Sequence, residues 1–305
     1  MNSKAYLQIS FAWLFAIIVG AVILFLAIFF VTKLIKTEQT ISDAKTGKEI
    51  GFLLNPLEIG FESAKSITIN FPTETRIYNK CRTNGNFGRQ LVQVSQKNFE
   101  KWTETDIDVG FSNKYIFSEE YTEGKDFYIF SKSFDFSFKI TDIVYLTSQL
   151  QEYCFLDAPE KIQEELMFLN QKNLLIENCS DKSTRVCFRG GGNCDIRVEY
   201  GKKRILKNSE FVYFEGDALM YAGIFSDFDI YECQVKRLMQ RTDNLAQLYH
   251  EKALFLSNKG CESNLDLVSL SNLANKLEDS SDLSLIKEFV EEIDYKNSIG
   301  DCRLW

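Results

Sequence analysis

The chain has 305 residues, of which 45% are hydrophobic and 14% are aromatic, and its formal net charge is −8. This apolar content can form a packed core, so the composition argues against a disordered protein. The sequence has no block of Lys and Arg that could neutralise phosphates, which together with the negative charge argues against a nucleic-acid partner.

The first element is an uncharged apolar segment from Ile9 to Val31. A helix needs about 20 apolar residues to cross a bilayer core of roughly 30 Å, so we predict a transmembrane helix over 9–31, with the lipid bilayer as its partner. The alternatives are a cleaved signal peptide and a buried helix of a soluble protein. The rest divides into a flank (1–8), an amphipathic stem or linker (32–62), an α+β domain (63–226) and a helical part packed on it (227–305).

Small residues recur every four positions inside this segment, at Ala12, Ala16 and Gly20. Such spacing places them on one face of a helix, where they let two backbones approach closely. The strip predicts self-association through the helix. The other interpretation is that apolar helices contain Ala and Gly by chance.

The residues before and inside the helix start, Lys4 to Trp13, read KAYLQISFAW. A basic and a small residue ahead of Gln-x-Ser and an apolar helix resemble the start of archaeal type IV pilin-like surface proteins. The resemblance implies cleavage near Gln8 and assembly through the helix. The sequence departs from the pattern in having no Lys-Gly directly before Gln8, and in having Ala12 where such helices usually carry Glu.

The next part of the chain predicts a helical stem and then strands. The stem, Thr37 to Leu54, is interrupted by Gly47 and ended by Asn55-Pro56. Alternating or β-branched residues predict strands at 66–71, 75–81 and 89–95, and one half-buried strand through Phe134, Phe136, Phe138 and Ile140. A β-α-β unit is predicted from a strand at 153–156, a helix at 159–170 and a strand at 174–177.

Further strands and then helices complete the predicted fold. Segments 184–188 and 195–200 flank Arg189 to Asn193 as a hairpin, Gly201-Lys202 turns into a strand at 204–206, and 210–214 pairs with 218–222. Apolar spacing predicts one long helix from Asp229 to Ser257, followed by helices at 265–277 and 281–293. The fold class is therefore α+β: an N-terminal transmembrane helix, a mostly antiparallel β-rich central domain with one β-α-β unit, and a C-terminal helical part with one long helix and a helical hairpin.

All eight cysteines follow the apolar segment. There is no CxxC, and a single histidine, His250, cannot complete a zinc set, so we predict disulfides and no metal or cofactor. Disulfides indicate an extracytoplasmic domain on a single-pass cell-membrane protein. The excess of lysines after the segment indicates the opposite orientation, but that rule weakens for long translocated domains.

Geometry restricts the pairing of these cysteines. Cys233 and Cys261 lie at opposite ends of the long helix, roughly 40 Å apart, whereas a disulfide tolerates about 7 Å between Cα atoms. Cys261 and Cys302 bracket two short helices that pack antiparallel, so we predict that they pair. Cys187 and Cys194, at the facing ends of one hairpin, are a second candidate pair, and the remaining partners stay open, for Cys81, Cys154, Cys179 and Cys233.

Motifs for chemistry are few. Asp157 precedes a helix and is expected to cap it, and the pairs Asp106/Asp108 and Asp227/Asp229 are expected to be solvated turns. No nucleophile elbow is present, so we predict no catalytic residue and no enzyme. One glycosylation sequon occurs, Asn178-Cys179-Ser180.

Three functions remain open from the sequence. The first is a surface or pilin-like structural protein that associates through its N-terminal helix. The second is an anchored binding module for an external protein or glycan, and the third is an anchored hydrolase.

Overall fold

The computed structural model describes residues 11–53, 65–98, 101–103, 108–189 and 192–305. The pilin-like start at 4–10, the predicted stop at Asn55-Pro56 and Asp106 lie outside the described residues. The described elements are an N-terminal helix, two sheets and C-terminal helices, which confirms the predicted α+β class.

Helix α1 runs without a break from Phe11 to Leu53. The prediction that Gly47 interrupts the helix is therefore wrong, since one interior glycine costs only about 1 kcal/mol. The segment Phe11–Leu34 is long and apolar enough to cross a membrane, and none of it is buried. A signal sequence near the N-terminus can have the same length and apolar composition.

The first sheet has seven strands in the order β3-β2-β1-β6-β7-β5, with β4 also paired to β2. All pairs are antiparallel except β5 with β7. The two strands predicted at 66–71 and 75–81 are a single strand, β1, whose register against β6 shifts between Asn70 and Thr75. The strands are β1 (Lys65–Arg82), β2 (Arg89–Asn98), β3 (Lys101–Trp102), β4 (Val109–Phe111), β5 (Ile116–Phe117), β6 (Tyr121–Phe136) and β7 (Phe138–Ser148).

The alternating Phe run from Phe134 to Ile140 is not one strand, as predicted, but a tight β6–β7 hairpin. Its turn is at Ser137, whose φ is 73°, and Phe136 pairs with Phe138. Phe134, Phe136, Phe138 and Ile140 are all buried in one core. The alternation persists through the turn because the two strand ends present their apolar residues to the same core.

The centre of the first sheet, in β6 and β7, is buried on both faces. On β6, Ile129 belongs to a small apolar cluster on one face, whereas Phe130 belongs to the main core on the other. The sheet curls until β1 and β2 meet β5, where Asn79 Nδ2 donates to the Ile116 carbonyl at 3.1 Å and Ile116 N–H donates to Gln90 Oε1 at 3.1 Å. The void inside the curl is about 10 Å³, far too small for an organic ligand.

The second sheet has six strands in the order β13-β12-β11-β10-β8-β9. Strand β8, helix α2 (Glu160–Leu169) and β9 form the predicted β-α-β unit, with β8 and β9 parallel. The predicted hairpin between 184–188 and 195–200 is wrong, because β10 and β11 are parallel. A short connection usually joins antiparallel strands. The connection between β10 and β11 instead brings the chain back to the end of the sheet where β10 starts, so that β11 runs in the same direction as β10. The strands are β8 (Tyr153–Leu156), β9 (Leu174–Ile176), β10 (Thr184–Cys187), β11 (Ile196–Glu199), β12 (Arg204–Lys207) and β13 (Glu210–Tyr213).

Four helices follow the second sheet. The first, α3 (Gly216–Phe225), replaces the predicted strand at 218–222, and β13 instead pairs with β12. All residues from Ala218 to Phe225 are buried, so this helix carries no amphipathic period by which sequence could separate it from a strand. The predicted long helix and helical hairpin are present as α4 (Phe228–Ser257), α5 (Leu267–Asn275) and α6 (Leu283–Ile299).

One contiguous apolar cluster joins both sheets to the helices. It includes Phe130 of β6, Val186 of β10, Tyr221 of α3, Leu238 of α4 and Ile286 of α6. The predicted segments 63–226 and 227–305 thus share a core.

Each cysteine is half of a disulfide. Two pairs are those that the sequence argument names, Cys261–Cys302 and Cys187–Cys194, with Cα atoms 5.3 and 5.9 Å apart. The cysteines left open pair as Cys81–Cys233 and Cys154–Cys179, with Cα separations of 6.0 and 5.4 Å.

Candidate ligand-binding cleft

A cleft of about 470 Å³ opens between the two sheets. Its walls come from the segment before β6, from the first residues of β8 and β10, from the start of β11, from the β12–β13 turn and from the residue that precedes α4. This volume lies in the range of small-molecule and peptide side-chain sites. Two other cavities among the described residues are much smaller, about 10 and 20 Å³.

Four carboxylates line the cleft, those of Glu119, Glu120, Asp195 and Asp227. Asp227 Oδ2 accepts the Glu120 backbone N–H at 2.7 Å, so the start of α4 is tied to the segment before β6. Asp195 Oδ2 accepts the Arg185 backbone N–H at 2.8 Å, across the parallel strands β11 and β10. These contacts fix the position of two carboxylates before any ligand arrives, which lowers the entropy lost on binding.

Glu119 is held by side chains. Its Oε2 accepts the Gln151 Nε2–H at 2.7 Å. The nearby Tyr153 side chain is buried, and burial raises the pKa of Tyr153 well above its usual value, with Glu119 and Asp227 adding to the rise. Tyr153 therefore stays protonated and serves as a hydrogen-bond donor at the base of the cleft.

Lys207 is the one cation among the described residues that line the cleft. Its Nζ donates to the Ser226 carbonyl at 3.0 Å and to the Ile224 carbonyl at 3.5 Å, at the C-terminal end of α3, and lies 4.0 Å from Asp227 Oδ1. Burial lowers the pKa of Lys207, while Glu119 and Asp227 act in the opposite direction. An ammonium at a helix C-terminus is favourable, so Lys207 satisfies the end of α3 and is not a free nucleophile.

The electrostatics of the cleft are therefore acidic, since four carboxylates face one ammonium. Tyr121 stands at its rim, 51% exposed, with its ring 6.3 Å from that of Tyr78 and 5.2 Å from the guanidinium carbon of Arg76. A ring so placed offers a face to a further cation.

The sequence analysis singled out few of these residues. Asp227 was expected in a solvated turn, and the structure instead places it before α4 and in the cleft wall. Asp157 does not cap α2, because the cap residue is Pro159 and no side chain caps the helix. The remaining cleft residues come from segments far apart in sequence, so no local motif marks them.

The predicted disulfide and association residues lie around the site or away from it. The Cys187–Cys194 bond comes directly before Asp195 and anchors that carboxylate. His250 is half-buried on α4, and no cluster that could hold a metal occurs among the described residues. Ala12, Ala16 and Gly20 are exposed along α1, with nothing within 4 Å of a Cβ built on Gly20.

Comparison with known proteins does not extend these observations. No protein-family model, no curated protein and no solved structure matches this chain.

Proposed function

We propose that this chain is a single-pass membrane protein whose disulfide-bonded domain lies outside the cytoplasm and binds a basic segment of an external protein. The cleft between the two sheets carries the proposal. Its carboxylates are held by backbone and side-chain donors, and its rim bears an exposed tyrosine, so a Lys or Arg side chain finds both charge and a π-face there.

Two further observations support the anchored, extracytoplasmic part of the proposal. The segment Phe11–Leu34 is apolar and unburied, as a span requires. All eight cysteines form four disulfides, and such bonds persist in oxidising compartments.

Binding is favoured over hydrolysis by the chemistry of the lining. The described residues that line the cleft include no histidine and no thiol, and the lysine is engaged by two carbonyl groups. A hydrolase needs an activated nucleophile or a positioned acid and base, and the four carboxylates of the cleft are groups of the second kind, so an anchored hydrolase stays the alternative function.

A titration of the full chain in detergent with a pentalysine peptide tests the proposal. Asp195→Asn and Glu119→Gln should each weaken binding about fivefold, equivalent to about 1 kcal/mol, and salt should weaken it further. Glu288→Gln, at an exposed carboxylate on α6 outside the cleft, is the matched control and should bind as the wild type does.

The proposal fails if the peptide does not bind, or if the Glu288 variant weakens binding as much as the cleft variants do. If a neutral oligosaccharide binds more strongly than the peptide, the ligand of the cleft is a glycan and not a basic protein segment.

Association through α1 is a second candidate function, in keeping with a surface or pilin-like role. The observation that favours it is the strip formed by Ala12, Ala16 and Gly20, which leaves one face of the helix flat and open. Ala16→Leu together with Gly20→Leu should reduce cross-linking of the full chain in detergent, because the added side chains block close approach. Ile18→Leu, on the opposite face, is the control, and equal cross-linking in both variants would show that the strip is incidental.

A further inference from the structure

The segment that follows β9 contains a sequon whose asparagine is exposed. Asn178-Cys179-Ser180 is the sole Asn-x-Ser/Thr sequence, with x other than Pro, in the 305 residues. Asn178 is exposed and lies outside the strands. Glu177, the first residue after β9, has a left-handed φ of 61°.

The surroundings leave room for a large group. β9 is the last strand of its sheet, and no strand among the described residues pairs with its outer edge. An edge strand with free backbone groups can pair with another chain, and proteins protect such edges by covering them. A bulky polar group on Asn178 would stand next to this edge.

We propose that Asn178 is N-glycosylated and that the glycan shields the β9 edge. The inference rests on the extracytoplasmic placement proposed above. In the reaction, Asn178 Nδ2 forms a bond to the anomeric carbon of an oligosaccharide carried on a lipid pyrophosphate. The bond from that carbon to the pyrophosphate oxygen breaks, the lipid pyrophosphate leaves, and the amide loses one proton.

The fold also indicates when this happens. Cys179 is bonded to Cys154 on β8, and the Ser180 hydroxyl donates to Glu152 Oε2 at 2.5 Å. Both contacts hold the sequon against the sheet, where a transferase could not bend it. The modification therefore precedes closure of the Cys154–Cys179 bond.

The chain offers a matched control. Asn193-Cys194-Asp195 is also an exposed asparagine followed by a disulfide-bonded cysteine, but its third residue lacks the hydroxyl. The two sites therefore differ in the hydroxyl at the third position, which the transferase requires.

The test is peptide mass mapping of the full chain from its native membranes. The Asn178 peptide should carry a mass excess of whole sugar residues. Asn178→Gln and Ser180→Ala should abolish the excess, whereas Ser180→Thr and Asn193→Gln should retain it. Cys154→Ser, which frees the sequon, should give equal or higher occupancy, and a lower occupancy would overturn the proposed order of events.

An unmodified Asn178 peptide in wild-type protein overturns the proposal. If all cysteines are disulfide-bonded in that same sample, the glycosylation proposal fails alone and the extracytoplasmic placement stands. If free thiols are found as well, both fail.

Discussion

The Cys81–Cys233 disulfide is expected to be the largest single covalent contribution to stability. It joins the end of β1 to the start of α4, and 152 residues separate its cysteines. The chain-entropy model assigns a loop of this length about 5 kcal/mol, an upper figure because real bridges often deliver less. Cys81→Ala with Cys233→Ala should therefore lower the free energy of unfolding by up to about 5 kcal/mol.

The native junction should survive this change. Beside the disulfide, Gln234 Nε2 donates to the Ile116 carbonyl at 3.1 Å, and Arg237 donates to the Lys114 carbonyl at 2.8 Å and the Ser112 carbonyl at 3.1 Å. These buried contacts hold α4 on the sheet without the bond. The loss of stability then arises mainly in the unfolded chain, which gains freedom.

The Cys187–Cys194 bond is the matched comparison. Its cysteines are seven residues apart, and the same model assigns it about 2.5 kcal/mol. Guanidinium unfolding of the full chain in detergent, followed by far-ultraviolet circular dichroism, measures both double-alanine variants. The entropy argument is refuted if removing the short-loop bond costs as much as removing the long-loop bond.

Two more predictions concern the thiols and one buried carboxyl. If the domain lies outside the cytoplasm, all eight cysteines of protein from native membranes should resist alkylation until a reductant is added, and several free thiols would contradict that placement. Burial raises the pKa of Glu232 above 4.5, against the opposing hydrogen bonds from Ser280, so the folded chain holds this proton more tightly than the unfolded chain does. The resulting stability is fully present below pH 4.5 and is lost as the pH rises through the folded-state pKa. Glu232→Gln, which keeps an acceptor oxygen, should flatten this fall in urea midpoints between about pH 4 and about pH 7, and an unchanged slope would show that Glu232 does not cause it.

Local patterns predicted the elements that have a clear period. The long helix α4 was predicted within a residue of its start, because its apolar residues repeat at helical spacing on one face only. The β-α-β unit was recognisable from the change of period and from Pro159 at the helix start. Where the hydrophobic period is absent or continues through a turn, the same reasoning assigned the wrong secondary structure. The all-buried α3 was predicted as a strand, and the Phe134–Ile140 hairpin as one strand.

The cleft could not be predicted from the sequence, since its carboxylates have unrelated neighbours. Glu119 and Glu120 precede β6, Asp195 follows a disulfide loop, and Asp227 precedes α4. From its neighbours in the sequence, each of these four residues is expected to be a solvent-exposed acidic side chain. Only the packing of the second sheet against the first brings them to one cavity.

The sequence by itself determined the apolar helix and the α+β class, because these depend on composition and on short-range periodicity. It also limited the pairing of Cys261, since the length of a continuous helix excludes Cys233 as its partner. The tertiary structure decided the parallel pairing of β10 with β11, the Cys81–Cys233 bond and the acidic cleft. These features join residues far apart in the chain, and such contacts follow from how the sheets and helices pack rather than from any local residue pattern.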